Sequence, residues 1–182
     1  MRATQYVALL RGINVGGRNK VPMADLRAAF DDHHYEAVRT YIQSGNVLFE
    51  SAAPAKSLES DIEGLLEKRF GVPLVVVVRS HARLRKVVEH APEGFGASPG
   101  TYHSDAVFLK APLTAARAMR VFKLREGVDQ AWPGDGVVYF ARLSASRTRS
   151  LMGRVAQTPE YQQMTIRNWS TTTKLLSLLD QS

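Results

Sequence analysis

Cysteine is absent from the 182-residue chain. That removes a disulfide framework, a thiolate metal site and a cysteine nucleophile together. It fits a reducing compartment, and a cytoplasmic protein is expected. No segment approaches the roughly 20 apolar residues that span a bilayer, so no membrane partner is expected. The apolar run Val7-Ala8-Leu9-Leu10 ends at Arg11, too early for a secretory signal. Neither H-E-x-x-H nor G-x-S-x-G occurs. The five histidines, His33, His34, His81, His90 and His103, lack metal-ligand spacing. Neither a metal nor a cofactor is expected.

What remains is ordinary globular material with a basic tilt. Apolar residues make up 45% and charged residues 23%, enough to bury a core at this length. The formal net charge is +7, and the excess of Lys and Arg lies after residue 80. Such a bias attracts anionic partners over long range, although a solvated surface is the plainer explanation of charge by itself.

The first half reads as βαββαβ. Gln5–Ile13 is a buried strand bounded by glycines. Pro22 suits a first helical position, and Met23, Leu26 and Phe30 share the face of a helix ending near His33-His34. Val38, Thr40 and Ile42 alternate as a strand, Ser44-Gly45-Asn46 is turn chemistry, and Val47-Leu48-Phe49 returns. Ser57 is expected to cap a helix striped by Leu58, Ile62, Leu65 and Leu66 and closed by Gly71. Pro73–Val78 is the fourth strand.

A helix capped by Ser80 follows, then a Pro/Gly-rich linker over 91–101. The second half repeats the order. Asp105–Lys110 is a strand, Leu113–Phe122 a helix, and Val128–Trp132 with Val137–Ala141 a hairpin. Arg147–Ala156 is a helix with Leu151 and Val155 inward. Met164–Ile166 is a strand, and Asn168 caps a C-terminal helix. The expected class is therefore α+β, a duplicated βαββαβ of ferredoxin-like type with an added linker helix and a C-terminal helix. The domains expected are 1–80, a helix and linker at 81–100, and 101–182.

Three segments place polar groups at strand ends and turns, where function concentrates. Arg11–Lys20 leaves a buried strand and enters a helix. Gly12, Gly16 and Gly17 permit close backbone approach, and Arg11, Arg18 and Lys20 surround them. The spacing matches neither a Walker loop nor G-x-G-x-x-G. Tyr41–Asn46 is a hairpin turn carrying Gln43, Ser44 and Asn46. Thr165–Lys174 is a helix N-terminus with Arg167 and Asn168, suited to an anion, or equally a cap with Trp169 stapled into the core.

Arg11–Gly17 with Asn19–Met23, then Thr40–Val47, then Thr165 with Arg167-Asn168-Trp169 and Lys174, resemble the bacterial family known as domain of unknown function 1697. The resemblance implies a duplicated ferredoxin-like protein and carries no established activity. Ser150 matches a serine of that pattern, whereas Ser170 stands where the family often has Asn or Arg.

A topological expectation accompanies these segments. The end of the first strand and the β2–β3 turn are expected at opposite ends of the sheet, so Arg11–Lys20 and Gln43–Asn46 should not share a simple pocket. The leading functional expectation is a phosphorylated or other anionic small molecule bound through Arg11, Asn14, Gly16, Gly17, Arg18, Lys20, Gln43, Ser44, Asn46, Arg167 and Asn168. One alternative is sequence-independent nucleic-acid binding by the basic second half, through Arg79, Arg83, Arg85 and Lys86 and then Arg117, Arg120, Lys123 and Arg125. Another is an enzyme of unknown reaction on an anionic substrate. The sequence leaves the oligomeric state open.

Overall fold

In the computed structural model, which describes residues 3–181, the apolar run after Thr4 becomes strand β1 (Thr4–Arg11). It lies inside a four-stranded sheet. Around it come α1 (Met23–Asp31), β2 (Glu36–Tyr41), β3 (Asn46–Ser51), α2 (Ala55–Phe70) and β4 (Val75–Ser80). The strand order is β2-β3-β1-β4, with every neighbour antiparallel. Alternation sends Tyr6, Ala8 and Leu10 to the helical face, with Val47, Phe49, Val76 and Val78. Leu26, Ala29 and Phe30 of α1 and Leu58, Ile62 and Leu66 of α2 close that core. Both faces of β1 are buried, as its unbroken apolar run requires: Val7 and Leu9 on the other face have no exposure.

Two acids of α2 tie the helix to the edge strand β4. Glu59 accepts from the Val78 amide at 3.0 Å and Glu63 from the Val76 amide at 2.9 Å. Amides that would otherwise template another strand are thereby occupied. Gly71 closes α2 at φ 68, as expected. Ser57 does not cap it. The helix begins at Ala55, after Pro54, and the Ser57 hydroxyl donates to the Pro54 carbonyl at 2.9 Å. Pro54 supplies the extended entry dihedral, and Ser57 already lies inside the first turn, its amide donating to the Pro54 carbonyl at 3.1 Å.

Helix α3 (His81–Glu89) follows, with Ser80 Oγ accepting from the Arg83 amide at 3.3 Å, as its expected capping role requires. The second sheet contains β5 (Tyr102–Leu109), β6 (Asp129–Gly134), β7 (Val137–Leu143) and β8 (Met164–Asn168), with α4 (Ala115–Val121) between β5 and β6. Its order is β6-β7-β5-β8, again antiparallel throughout. Val107, Leu109, Val138, Phe140 and Met164 form its helical-face core with Ala118, Phe122, Met152 and Val155. Helix α5 (Trp169–Asp180) ends the chain. The chain divides into two compact units, one running through Arg85 and including the chain from Leu175, the other Lys86–Lys174. No helix among the described residues is long and apolar enough to cross a membrane.

One expected element is different in kind. Arg147–Ala156 is not an α-helix. Two 3₁₀ segments, Ser144–Arg149 and Met152–Gln157, occupy that stretch, and a third, Pro159–Gln163, follows it. The buried carboxylate of Asp129 explains the break. Its Oδ2 accepts from the Leu151 amide at 2.8 Å and the Arg125 amide at 2.9 Å, while Arg125 Nε donates to the Arg149 carbonyl at 2.7 Å. These partners take backbone groups an α-helix would pair internally, and Ser150 is extended (φ −58, ψ 142). The inward residues become Met152 and Val155, and Leu151 is only half-buried.

Candidate functional site

Beyond Arg11 the chain enters a loop dense in left-handed backbone. Gly12, Asn14, Gly16, Gly17 and Asn19 all have φ between 49 and 91. Asparagine tolerates that region because its short amide bonds locally. Here Asn14 is the organiser. Its Oδ1 accepts from the Val21 amide, and its Nδ2 donates to the carbonyls of Val21 and Gln43, each at 2.9 Å. Asn19 Nδ2 donates to the Gly12 carbonyl at 2.8 Å, and the Asn14 amide reaches the Asn19 carbonyl at 3.1 Å. The Arg18 amide folds back to the Val15 carbonyl at 3.0 Å. The loop is thus a closed, internally bonded arch with Val15 at its exposed tip.

The bond from Asn14 to Gln43 overturns the topological expectation. The Arg11–Lys20 loop and the β2–β3 turn lie at the same end of the sheet. β3 runs antiparallel to β1, with Leu9 opposite Asn46, so the turn that starts β3 sits where β1 finishes. The Leu10 amide donates to the Gly45 carbonyl at 2.9 Å across this junction. Gly45 is there by steric necessity as well as dihedral. At φ 87, an added Cβ would lie 2.8 Å from Ile13 Cδ1 and 2.9 Å from Leu10 Cβ. The adjoining Ile42 is a β-branched residue at φ 50 and is 47% exposed. A β-branched residue in that region is a genuine outlier and marks stored strain.

Between arch and turn lies a concavity of about 300 Å³, lined by Asn14, Gly17, Lys20, Val21, Pro22, Met23 and Gln43. Of the residues expected to bind a ligand, Asn14, Gly17, Lys20 and Gln43 line it. Gly16, Arg18 and Ser44 are exposed in the same loop and turn. Among the described residues Arg18 and Lys20 make no ion pair. Arg11 is half-buried at the end of β1, opposite Val75, and already engaged. Asn46 is fully buried, its Nδ2 donating to the Tyr41 carbonyl at 2.9 Å and Ser44 Oγ at 3.1 Å. It holds the turn. Pro22 and Met23 read in the sequence as a helix start rather than as lining, and Val21 only as part of the family resemblance. Their signal was position: they follow the arch directly.

The third segment lies in the other compact unit. Arg167 is 6% exposed, with Nη1 donating to Thr165 Oγ1 at 3.0 Å and the Ile166 carbonyl at 2.9 Å. Burial pulls its pKa down to about 10. Asn168 caps α5, its Oδ1 accepting from the Thr171 amide at 2.8 Å and Ser170 Oγ at 3.0 Å. Trp169 packs edge-on against Phe95, with ring centroids 4.9 Å apart. Asn168 and Trp169 thus have structural roles, and both also line a hollow of about 420 Å³. No group of three or more metal-binding side chains occurs among the described residues.

Fold and site together define a mixed α+β protein with two four-stranded antiparallel sheets, one carrying a glycine-rich arch docked on a hairpin turn. The chain belongs to the family described as protein of unknown function (DUF1697), whose model matches residues 3–139. The matched span contains the arch and the turn and ends before Thr165–Lys174. The chain is also similar to the conserved bacterial protein SP0830 from Streptococcus pneumoniae. The two are 25% identical, with a TM-score of 0.84 over 98% of this chain and 99% of the other. No match is found among curated proteins.

Proposed function

We propose that this is a cytosolic binding protein for a small anionic ligand, held between the arch and the β2–β3 turn of the first unit. The observation that carries this reading is the convergence of the two loops on one concavity bordered by cations with no internal carboxylate partner. Lys20 lines the hollow and Arg18 stands on the same arch. The backbone amides of Gly16 and Gly17 themselves add donors that need no side chain. A phosphate-bearing molecule suits such a set, since its oxygens accept from several donors at once. Asn14 and Asn46 shape the site and leave Gln43 to orient the guest. Arg167 and Asn168 take no part in it.

The architecture fits a duplicated ferredoxin-like origin. Both sheets place the second, third, first and fourth strands of their half in the same order. The second half departs by replacing its second helix with the 3₁₀ segments around Asp129.

Nucleic-acid binding by the second half finds less support. Arg117 faces Glu160 at 3.4 Å and Arg142 faces Asp105 at 3.5 Å, so part of that charge is internally matched. The test is amide chemical-shift mapping of the full chain with inorganic phosphate, pyrophosphate and glucose 6-phosphate. Shifts should cluster on 14–20 and 42–44 for at least one of them, and Arg18→Ala with Lys20→Ala should weaken its binding at least tenfold. Shifts confined elsewhere, or none, would reject the site.

A further inference from the structure

The second sheet carries a cleft of a different chemistry. Strand register sets Gln130, Ala141 and Ser104 in one cross-strand row, and Trp132, Tyr139 and Ala106 in the next. Small side chains at Ala141, Ser104 and Ala106 leave a hollow in the middle of that face, with large aromatics at its flank. The 92–98 strap crosses over it. Phe95 is fixed edge-on to Trp132, Tyr139 and Trp169, with centroids at 6.0, 5.4 and 4.9 Å. Gly96 runs so close to the indole that a Cβ there would overlap Trp169 Cδ1. The strap is therefore anchored at both flanks, and the hollow beneath it persists.

Two contiguous hollows result, of about 200 and 420 Å³, sharing Gly96, Tyr102 and Ser104. Together they fall within the roughly 300–1,000 Å³ typical of small-molecule sites. Ser104 is 8% exposed, and its buried hydroxyl has no hydrogen-bond partner. An orphaned hydroxyl destabilises the free protein, and a guest that completes it recovers that loss. Tyr102 stands 37% exposed at the junction, and its ring makes no aromatic contact among the described residues. No Lys or Arg lines either hollow. Phosphate is therefore not the group this cleft is built for. Its polar lining combines groups that both donate and accept, Ser104, Gln130 and His103, with the Glu93 carboxylate, which only accepts.

We propose that this cleft binds a neutral, polyhydroxylated ring ligand, a short saccharide, stacked on Tyr102 and hydrogen-bonded to Ser104. Each sugar hydroxyl donates and accepts, which matches the lining. The apolar face of the ring matches the aromatic wall, and two joined hollows suit two linked rings. The inference rests on the second unit alone and does not depend on the anion site.

Trp132 and Trp169, the only two tryptophans of the chain, border the cleft, so intrinsic fluorescence reports its occupancy. The full chain is titrated with cellobiose, maltose, chitobiose and xylobiose, and with adenosine and AMP for comparison. A saturable emission change with at least one disaccharide is expected. Ser104→Ala should weaken it at least fivefold without lowering the melting temperature of the free protein, and Tyr102→Ala at least tenfold. Lys20→Ala should leave it unchanged. Should Ser104→Ala fail to fold, the exposed Tyr102→Ala decides alone. Silence to all four disaccharides, a response to adenosine or AMP only, or disaccharide binding indifferent to Tyr102→Ala would overturn the proposal.

Discussion

Replacing Gly45 with alanine probes the junction between the arch and the β2–β3 turn, on which the proposed anion site rests. Two penalties act together. At φ 87 an alanine occupies a region that costs an L-residue about 1–2 kcal/mol. Its methyl would also stand 2.9 Å from Leu10 Cβ and 2.8 Å from Ile13 Cδ1. Ile13 can swing its terminal methyl, but Leu10 Cβ is fixed to the central strand and cannot yield without moving β1. Overpacking of this sort costs about 1–3 kcal/mol. A loss of about 2–5 kcal/mol follows, and each kcal/mol lowers the melting temperature of a chain this long by about 2–4 °C. The control is the same substitution at Gly64, in the exposed middle of α2, where an added Cβ meets nothing within 4 Å. There alanine should stabilise by about 0.5–1 kcal/mol. Urea denaturation followed by circular dichroism measures both. A Gly45→Ala protein within about 0.5 kcal/mol of the parent would mean that the turn is not wedged against β1. The geometric basis of the site would then be lost.

Further outcomes follow from the same contacts. Ile42→Asn should raise stability by about 1 kcal/mol, because asparagine tolerates the left-handed backbone that isoleucine resists. Calorimetry that finds no gain would show the strain to be relieved in solution. Asp129→Ala should cost about 2–4 kcal/mol by orphaning the Leu151 and Arg125 amides together. An unchanged denaturation midpoint would separate the 3₁₀ segments from that carboxylate. Asp105 titrates with its pKa raised by burial, an effect that His103 and Arg142 oppose. A raised carboxyl pKa means the folded state prefers the protonated form, so this group favours folding at low pH and opposes it as pH rises through the folded pKa. Asp105→Asn should therefore gain stability relative to the parent as pH increases from about 4 to 7. A difference flat with pH, or falling, would contradict the sign.

Much of this architecture was readable in the chain because local and tertiary preferences agree. Tyr6, Ala8 and Leu10 face a helical layer whose own apolar spacing is equally plain, and Gly71 ends α2 by its dihedral freedom. The reading failed where a side chain distant in sequence captured backbone. Nothing in Arg147–Ala156 announces Asp129, which lies about twenty residues earlier and claims the amide of Leu151. Ser57 has the chemistry of a cap, yet Pro54 sets the helix entry first. The candidate site was legible as residue types and illegible as geometry. Gln43 and Asn14 read as separable because the end at which β3 begins depends on strand direction rather than on composition.

Arg167 shows the same limit from the opposite side. A cation next to an apolar strand and a helix N-terminus reads as a ligand group, because burying an unneeded charge is expensive. Yet a guanidinium brings five donors, and the strand around it supplies acceptors: Thr165 Oγ1 two residues back and the Ile166 carbonyl beside it. With those bonds made it remains charged at neutral pH even at a pKa of about 10. The distinction between a structural and a functional cation thus lies in whether acceptors within the fold already surround it. Arg167 has such acceptors around it, whereas Arg18 and Lys20, exposed on the arch, make no ion pair among the described residues.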